Sequence, residues 1–196
     1  LSFLKNKKEL FYKENRIINY HQLICINLLR LGKVQEFNNV YNELINSKNV
    51  NDKHHSRYVA AMKLFNGKDY FKTIEMLDDI VESDIFFPRN YHKDVLADLC
   101  KYWISRSYIE LGEFEKAIDA LNSFRPTHNG SSVQLFIDTY WPKKNYLKGI
   151  AYEGLGDKRN ARESYKEFLE VWHEADDDLP EIIDAKKKLQ KLGWNT

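Results

Sequence analysis

The chain has 196 residues, of which 43% are hydrophobic, and it carries 30 basic side chains against 29 acidic ones. This length is enough to bury a core, the hydrophobic content is too high for a disordered chain, and the balanced charge argues against a dedicated nucleic-acid binder. No stretch approaches the roughly 18 consecutive apolar residues of a membrane span, so we expect no membrane partner.

The chain begins at Leu1, not Met, and shows no secretory leader, so it is either a fragment of a longer protein or a processed chain, and we favour the fragment. Its two cysteines, Cys25 and Cys100, lie far apart, each in an apolar stretch with helical periodicity. This pattern predicts buried unpaired thiols and favours the reducing cytoplasm.

Apolar residues recur at intervals of three and four along the whole chain, which predicts helices throughout. The predicted elements, in chain order, are an N-terminal helix at 1–14, four helix pairs at 15–48, 52–84, 89–124 and 132–175, and a last helix at 178–193.

Two of these pairs contain nearly the same phrase. YIELGEFEKAIDAL (108–121) and YEGLGDKRNARESY (152–165) place Gly112 and Gly156 at the same offset. A glycine just after a helix supplies the left-handed conformation that ends it, so each phrase predicts a helix, a tight turn and a second helix. Weaker copies place their turns at Gly32 and at Lys68, because one extra residue there aligns Lys68 rather than Gly67 with the other glycines.

In these four copies the chain resembles the tetratricopeptide repeat family, whose unit is a helix pair of about 34 residues. The family tryptophan is missing from every copy, and Phe37 stands where the first copy should have a small residue. The resemblance implies an all-α fold, a right-handed α-solenoid of stacked antiparallel helix pairs, in one domain over 1–196. It is carried by repeat-signature positions occupied by small residues and tyrosines: Gly32, Ala61, Tyr108, Gly112, Ala117, Gly149, Tyr152, Gly156 and Ala161.

The spacing of the later turns leaves room for first helices about three turns longer than the family norm. In the last pair, Pro142 would then kink a long helix; alternatively, a loop runs to Trp141 and Pro142 opens a shorter helix. We favour the long helix.

The last helix has one apolar face, with Lys186, Lys187 and Lys188 on the remainder, as expected for a cap that ends a solenoid. Asp178 and Glu181 are spaced as a capping box and predict where this helix begins.

No motif in the chain points to catalysis. His54 and His55 are adjacent and would point about 100° apart on a helix, so they do not converge on a metal, and we read them as a solvated helix start. No phosphate loop, nucleophile elbow or metalloprotease motif occurs. We therefore expect no enzyme activity, no cofactor and no metal.

The resemblance also implies that certain first-helix positions line a concave groove and contact a ligand. In this chain those partner-binding positions hold aromatic and apolar residues with one arginine: Tyr58, Met62, Tyr102, Arg106, Tyr146 and Ile150. Tyrosine and arginine are enriched at the energetic centres of protein interfaces. The alternative is that the tyrosines pack inside the solenoid, and their exposure discriminates between the two.

These patterns favour a non-catalytic protein-interaction module that binds a partner segment, or a neighbouring domain of a multidomain bacterial protein, as a regulatory or sensor element. A structural scaffold whose groove is filled by its own helices is the alternative. RNA binding by a helical-repeat surface is a minor alternative, since only Arg106 and Lys143 would make the groove basic.

Overall fold

The computed structural model describes residues 20–48, 50–82, 91–124, 131–173 and 179–194. The described residues form helices and no strands, so the all-α prediction is confirmed. The predicted helix at 1–14 lies outside them. The helices are α1 (Tyr20–Arg30), α2 (Val34–Ile45), α3 (Val50–Asn66), α4 (Tyr70–Glu82), α5 (Tyr91–Leu111), α6 (Phe114–Asn122), α7 (Ser131–Gly154), α8 (Lys158–Val171) and α9 (Pro180–Lys191).

The chain divides into two compact units, Leu1–Cys100 and Lys101–Thr196, and the division falls inside α5. In the first unit α1 packs on α2, α3 packs on α4, and α3 also contacts both helices of the first pair. In the second unit α7 contacts α6 and α8, and α8 contacts α9. The single domain over 1–196, the unit boundaries within it and the right-handed superhelix stay predictions.

The turn that connects the two helices of each pair contains a residue with positive φ. Gly32, Gly112 and Gly156 have φ between +66° and +76°, in the left-handed region that favours glycine. At Gly112 the backbone N–H donates to the Ile109 carbonyl (3.1 Å), and the next N–H, of Glu113, donates to the Tyr108 carbonyl (2.9 Å). This is the Schellman arrangement, which satisfies carbonyls that the end of a helix leaves without partners.

The turn between α3 and α4 uses a lysine for the same purpose. Lys68 has a φ of +62°, whereas Gly67 beside it is not in the left-handed region. The N–H groups of Lys68 and Asp69 donate to the carbonyls of Phe65 and Leu64, in the pattern seen at the glycine turns. Lys68 is therefore structurally equivalent to the glycines, as the alignment predicts, and it adopts a conformation that costs a side-chain-bearing residue about 1 kcal/mol.

Small side chains hold the two helices of each pair together. One set lies seven residues before the turn residue, where Cys25, Ala61 and Ser105 are fully buried. A second set lies five residues after it, where Thr73, Ala117 and Ala161 are also fully buried. Phe37 takes this second position in the first pair and is itself buried, so that pair accommodates a large ring where the others have a small residue.

Gly149 shows how close this approach is. A Cβ atom added at Gly149 would lie 2.4 to 2.7 Å from ring atoms of Tyr165, whose side chain is fully buried in the facing helix. Gly154 is similar, because a Cβ there would lie within 2.5 Å of the Phe114 ring. Glycine at these two positions lets an aromatic ring rest directly on the backbone of α7.

The long-helix prediction is confirmed for both later pairs. The first helices α5 and α7 have 21 and 24 residues. Helix α7 runs through Pro142 without ending, so Pro142 is an interior residue and not the first residue of a shorter helix.

The start of α9 differs from the prediction. Its N-cap is Leu179, which makes no side-chain capping bond, and Pro180 occupies the first turn. The predicted cap, Asp178, lies outside the described residues. Proline is favoured at the first helical position because its missing N–H would have no partner there.

The two cysteines are free and buried, as predicted. Burial, with a smaller contribution from the Glu43 charge, raises the pKa of the Cys25 thiol to about 12. The predicted solvated start at His54 and His55 is wrong for His55, which lies inside α3 and is only 5% exposed.

We expect Gly149→Ala to lower the free energy of unfolding of the whole chain by about 1–3 kcal/mol, because the added methyl group overlaps the Tyr165 ring. Gly67→Ala is the matched control, since its Cβ would be 3.4 Å from the nearest atom and its φ is ordinary. Urea unfolding followed by circular dichroism measures both. Equal effects of the two substitutions would contradict the close-approach account.

We expect both cysteines to resist alkylation in the native chain at pH 8 and to react at once in guanidinium. At Cys25 the raised pKa alone lowers the thiolate fraction about a thousandfold relative to an ordinary thiol. Mass spectrometry after timed iodoacetamide exposure gives the rate. Fast modification of Cys25 in folded protein would show that its thiol is not buried.

Candidate functional site

The predicted contact positions of the first unit are buried in α3. Tyr58 is 1% exposed and Met62 is 4% exposed. Neither side chain therefore presents surface to a partner, which favours internal packing for this part of the tyrosine set.

Tyr102 and Arg106 lie one turn apart in α5, in the second unit. Tyr102 is 5% exposed, and its ring meets the Trp103 ring edge-on at 5.5 Å between centroids. The Arg106 guanidinium lies 4.8 Å from the centre of the Trp103 ring and 5.9 Å from that of Tyr102. Arg106, which is half-buried, thus lies close to two aromatic rings. A cation is attracted to the electron-rich face of such a ring.

Tyr146 and Ile150, on α7, are half-buried. Both pack against the cluster that α9 forms with α8, whose α9 members are Ile182, Ala185 and Leu189. The Tyr146 hydroxyl donates to an Asp184 carboxylate oxygen at 2.8 Å. Positions predicted to meet a partner therefore meet the last helix of the same chain.

Two ion pairs join α7 to α9 beside this hydrogen bond. Lys143 Nζ lies 2.6 Å from Glu181 Oε1, and Lys188 Nζ lies 2.5 Å from Glu153 Oε2. All four side chains are only 21–27% exposed. Partial burial shields such pairs from solvent and makes them worth more than surface ion pairs, provided that both partners stay in place.

The Glu153 carboxylate also accepts a hydrogen bond from the Tyr165 hydroxyl. Burial, reinforced by this bond to Glu153, raises the pKa of Tyr165 well above its usual value. Burial and the bond to Asp184 raise the pKa of Tyr146 in the same way. Both phenols therefore remain protonated donors at physiological pH and act as fixed structural groups.

The pKa of Glu181 shifts in the opposite direction. Burial by itself would raise its pKa, but the hydrogen bond and the charge of Lys143, with a contribution from Arg106, lower it below the usual value. The carboxylate of Glu181 is therefore held ionised at the first turn of α9, where the helix dipole also favours negative charge.

The far end of α9 is held by α8. Arg162 donates to the Leu192 carbonyl at 3.0 Å, and Lys166 Nζ lies 5.3 Å from the centre of the Trp194 ring. Helix α9 ends at Lys191, and Gly193, two residues further on, has a φ of +79°. The N–H groups of Gly193 and Trp194 donate to the Gln190 and Leu189 carbonyls, which is the turn seen after α1, α3, α5 and α7.

This shared turn places α9 in the register of the first helices. Counting back from the turn residue, the positions of Tyr146, Ile150 and Glu153 in α7 correspond to Ile183, Lys187 and Gln190 in α9. These three side chains are exposed, Ile183 at 54%. The position of the buried small residue corresponds to Lys186, which is also exposed.

The sequence pattern did not predict that charged side chains of α9 contact α7. Glu181, Asp184 and Lys188 all face α7, although the pattern of three consecutive lysines placed Lys188 on the solvated side. The available signal was their spacing of three and four residues, next to the apolar positions of the same helix.

Comparisons with known proteins agree with the repeat pattern. Two family models, both described as tetratricopeptide repeat, match residues 100–125 and residues 145–171. These stretches contain the turns at Gly112 and Gly156 with the helices on either side. These two stretches are therefore tetratricopeptide repeats, which supports the resemblance drawn from the sequence. No curated protein and no solved structure gave a significant match.

Tetratricopeptide repeats generally mediate protein–protein interaction, and the family is typically non-catalytic. Across the described residues, no group of three or more His, Cys, Asp and Glu side chains could hold a metal ion. The helices in the described part of the chain also include none that is both long and apolar enough to cross a bilayer.

We expect Glu181→Gln to lower the stability of the chain by about 1 kcal/mol at pH 7, because Lys143 then loses its partner in a half-buried site. The lowered pKa means that ionised Glu181 stabilises the fold above the reference value of 4.5, and that this contribution is lost as pH falls through the folded-state pKa. Urea midpoints measured from pH 7 to pH 3 should therefore fall less in the variant. A parallel pH dependence would contradict the pairing.

Proposed function

We propose that this tetratricopeptide-repeat chain is a non-catalytic protein-interaction module of the reducing cytoplasm. It binds a protein or peptide segment through exposed residues of its last helix, α9, that correspond in register to the ligand-contact positions of the first helices. The partner is a segment of another protein or a neighbouring domain of a multidomain bacterial parent, for which the array acts as a regulatory or sensor element.

The observation that supports this proposal is the register of α9. Its exposed Ile183, Lys187 and Gln190 correspond to the family's ligand-contact positions, while Tyr146 of α7 donates to Asp184 of α9 and Ile150 packs against the cluster that α8 and α9 form. An exposed isoleucine beside a lysine offers apolar contact area together with a charge that selects an acidic partner. The predicted binding surface thus moves one helix further along the chain.

A scaffold function is favoured by a different observation. The burial of Tyr58 and Tyr102 means that the first-helix faces of both units contribute to internal packing. A repeat array with its groove filled in this way serves as a rigid spacer. The binding experiment below separates the two functions.

The test is affinity capture from a lysate of the source, with the full chain immobilised and bound proteins identified by mass spectrometry. We expect Ile183→Asp/Lys187→Glu to lose a partner severalfold while keeping its circular dichroism spectrum, because both side chains are exposed. The matched control is Val171→Asp, which places a charge at a 57% exposed position at the end of α8.

Loss of the same partner in both variants would show that the effect does not come from the α9 surface. Capture of the same proteins by wild type and by the double variant would favour the scaffold function. In the variant that loses its partner, isothermal titration with that purified protein then gives the change in affinity.

A further inference from the structure

The first unit has a surface that neither function uses, formed by its two helix-pair turns. We call it the turn edge: Arg30, Leu31, Lys33, Val34, Lys68, Phe71 and Lys72. The two turns lie at the same edge because α1 and α3 pack in register, with Val59 of α3 in the same core cluster as Ile24, Cys25 and Leu28 of α1. In agreement, Lys63 near the second turn places its Nζ 5.6 Å from the ring of Phe37 near the first.

Three large apolar side chains project from this edge. Leu31 is 61% exposed, Val34 is 65% exposed and Phe71 is 70% exposed, and these are the three highest values among the exposed large hydrophobic residues of the described chain. A Cβ added at Gly32, between the first two, would meet nothing within 4 Å. The first turn is therefore open on the side that a Cβ at Gly32 would occupy.

Basic side chains surround these apolar groups. Arg30 and Lys33 flank Leu31 in the first turn, and Lys68 and Lys72 flank Phe71 in the second. Two of them form exposed ion pairs one turn apart, Lys33 with Glu36 at 2.9 Å and Lys72 with Asp69 at 2.9 Å. Glu75 adds a third acidic group near Lys72, so four basic groups against three acidic ones leave the edge with a net charge of about +1.

Lys68 is an independent indication that this edge is used. It is the only side-chain-bearing residue with positive φ in the described part of the chain, and the equivalent position is glycine in every other turn. A strained backbone at an exposed charged residue is a pointer to function, since glycine would give the same turn without the strain.

We propose that the turn edge binds an anionic lipid surface. Protruding apolar side chains enter the interfacial region of a bilayer without needing a complementary shape, and the surrounding basic groups are attracted to anionic headgroups. A peptide ligand would need a concave site for its own side chains, and the geometry of these turns offers projections instead. The contact is peripheral and needs no membrane-spanning segment, so it departs from the expectation of no membrane partner, which rested on the lack of such a segment. Its strength depends on lipid charge and on salt.

The test is vesicle flotation of the full chain, using vesicles of phosphatidylcholine alone and vesicles with about 30% phosphatidylserine, whose surface potential attracts basic segments. We expect binding to the anionic vesicles only, and we expect added salt to weaken it. Leu31→Ser/Val34→Ser/Phe71→Ser should abolish flotation. The control Ile45→Ser/Leu155→Ser/Val171→Ser removes three exposed apolar side chains that are not part of the turn edge and should float as wild type does.

The substitution Lys68→Gly distinguishes an effect on vesicle binding from an effect on the stability of the fold. It should raise the urea midpoint, because glycine relieves the positive-φ strain, and it should weaken vesicle binding about fivefold through the lost charge. Flotation of the triple serine variant at the wild-type level, or unchanged binding of Lys68→Gly, overturns the proposal. So does a wild-type chain that floats with neither vesicle, which would leave an acidic protein segment as the ligand chemistry for this edge.

Discussion

The close approach of the two helices in each pair is the constraint on which the other features depend. At Gly149 the ring of Tyr165 rests on helix backbone, and no side chain larger than hydrogen fits between them. The buried alanines at positions 61, 117 and 161 serve the same purpose with one methyl group each. Dispersion contacts fall off steeply with separation, so helices that approach this closely gain packing energy that bulkier residues would forfeit. The sequence phrase is repeated because the two helices of each pair must pack closely in the same way.

The close packing also decides which surfaces remain for function. Once the small residues bring the helices together, Tyr58 and Tyr102 are buried, and in the last pair Tyr146 and Ile150 pack against the cluster formed by α8 and α9. Helix α9 attaches with polar pairs, Lys143 with Glu181 and Lys188 with Glu153, in addition to its apolar face. Such pairs specify one register, because a shift by one residue would leave buried charges without partners. The exposed surfaces to which we assign a function are the α9 positions Ile183, Lys187 and Gln190 and the turn edge.

The fold was predictable from the sequence because its signals are local. The turn at Gly112 can be read from fewer than twenty residues, and Lys68 could be aligned with the glycines although its residue type gives no hint of positive φ. The site was less predictable. Whether Tyr146 faces a partner or α9 depends on Asp184, 38 residues away, and the sequence pattern of one helix does not include its neighbour. The cap of α9 was misplaced for the same reason, since Asp178 is a good N-cap in isolation and Pro180 fixes the actual start.

The repeated hairpin has a consequence for how the chain reaches its fold. Helices that pack together are neighbours in sequence: α1 with α2, α3 with α4, α7 with α8. Such local contacts close short loops at low entropic cost, and proteins built from them fold quickly, in microseconds to milliseconds for helical topologies. A chain of this kind has no need to complete its synthesis before it begins to fold. In such a chain, each helix is free to pack on its pair mate as soon as the turn and the next dozen residues have left the ribosome.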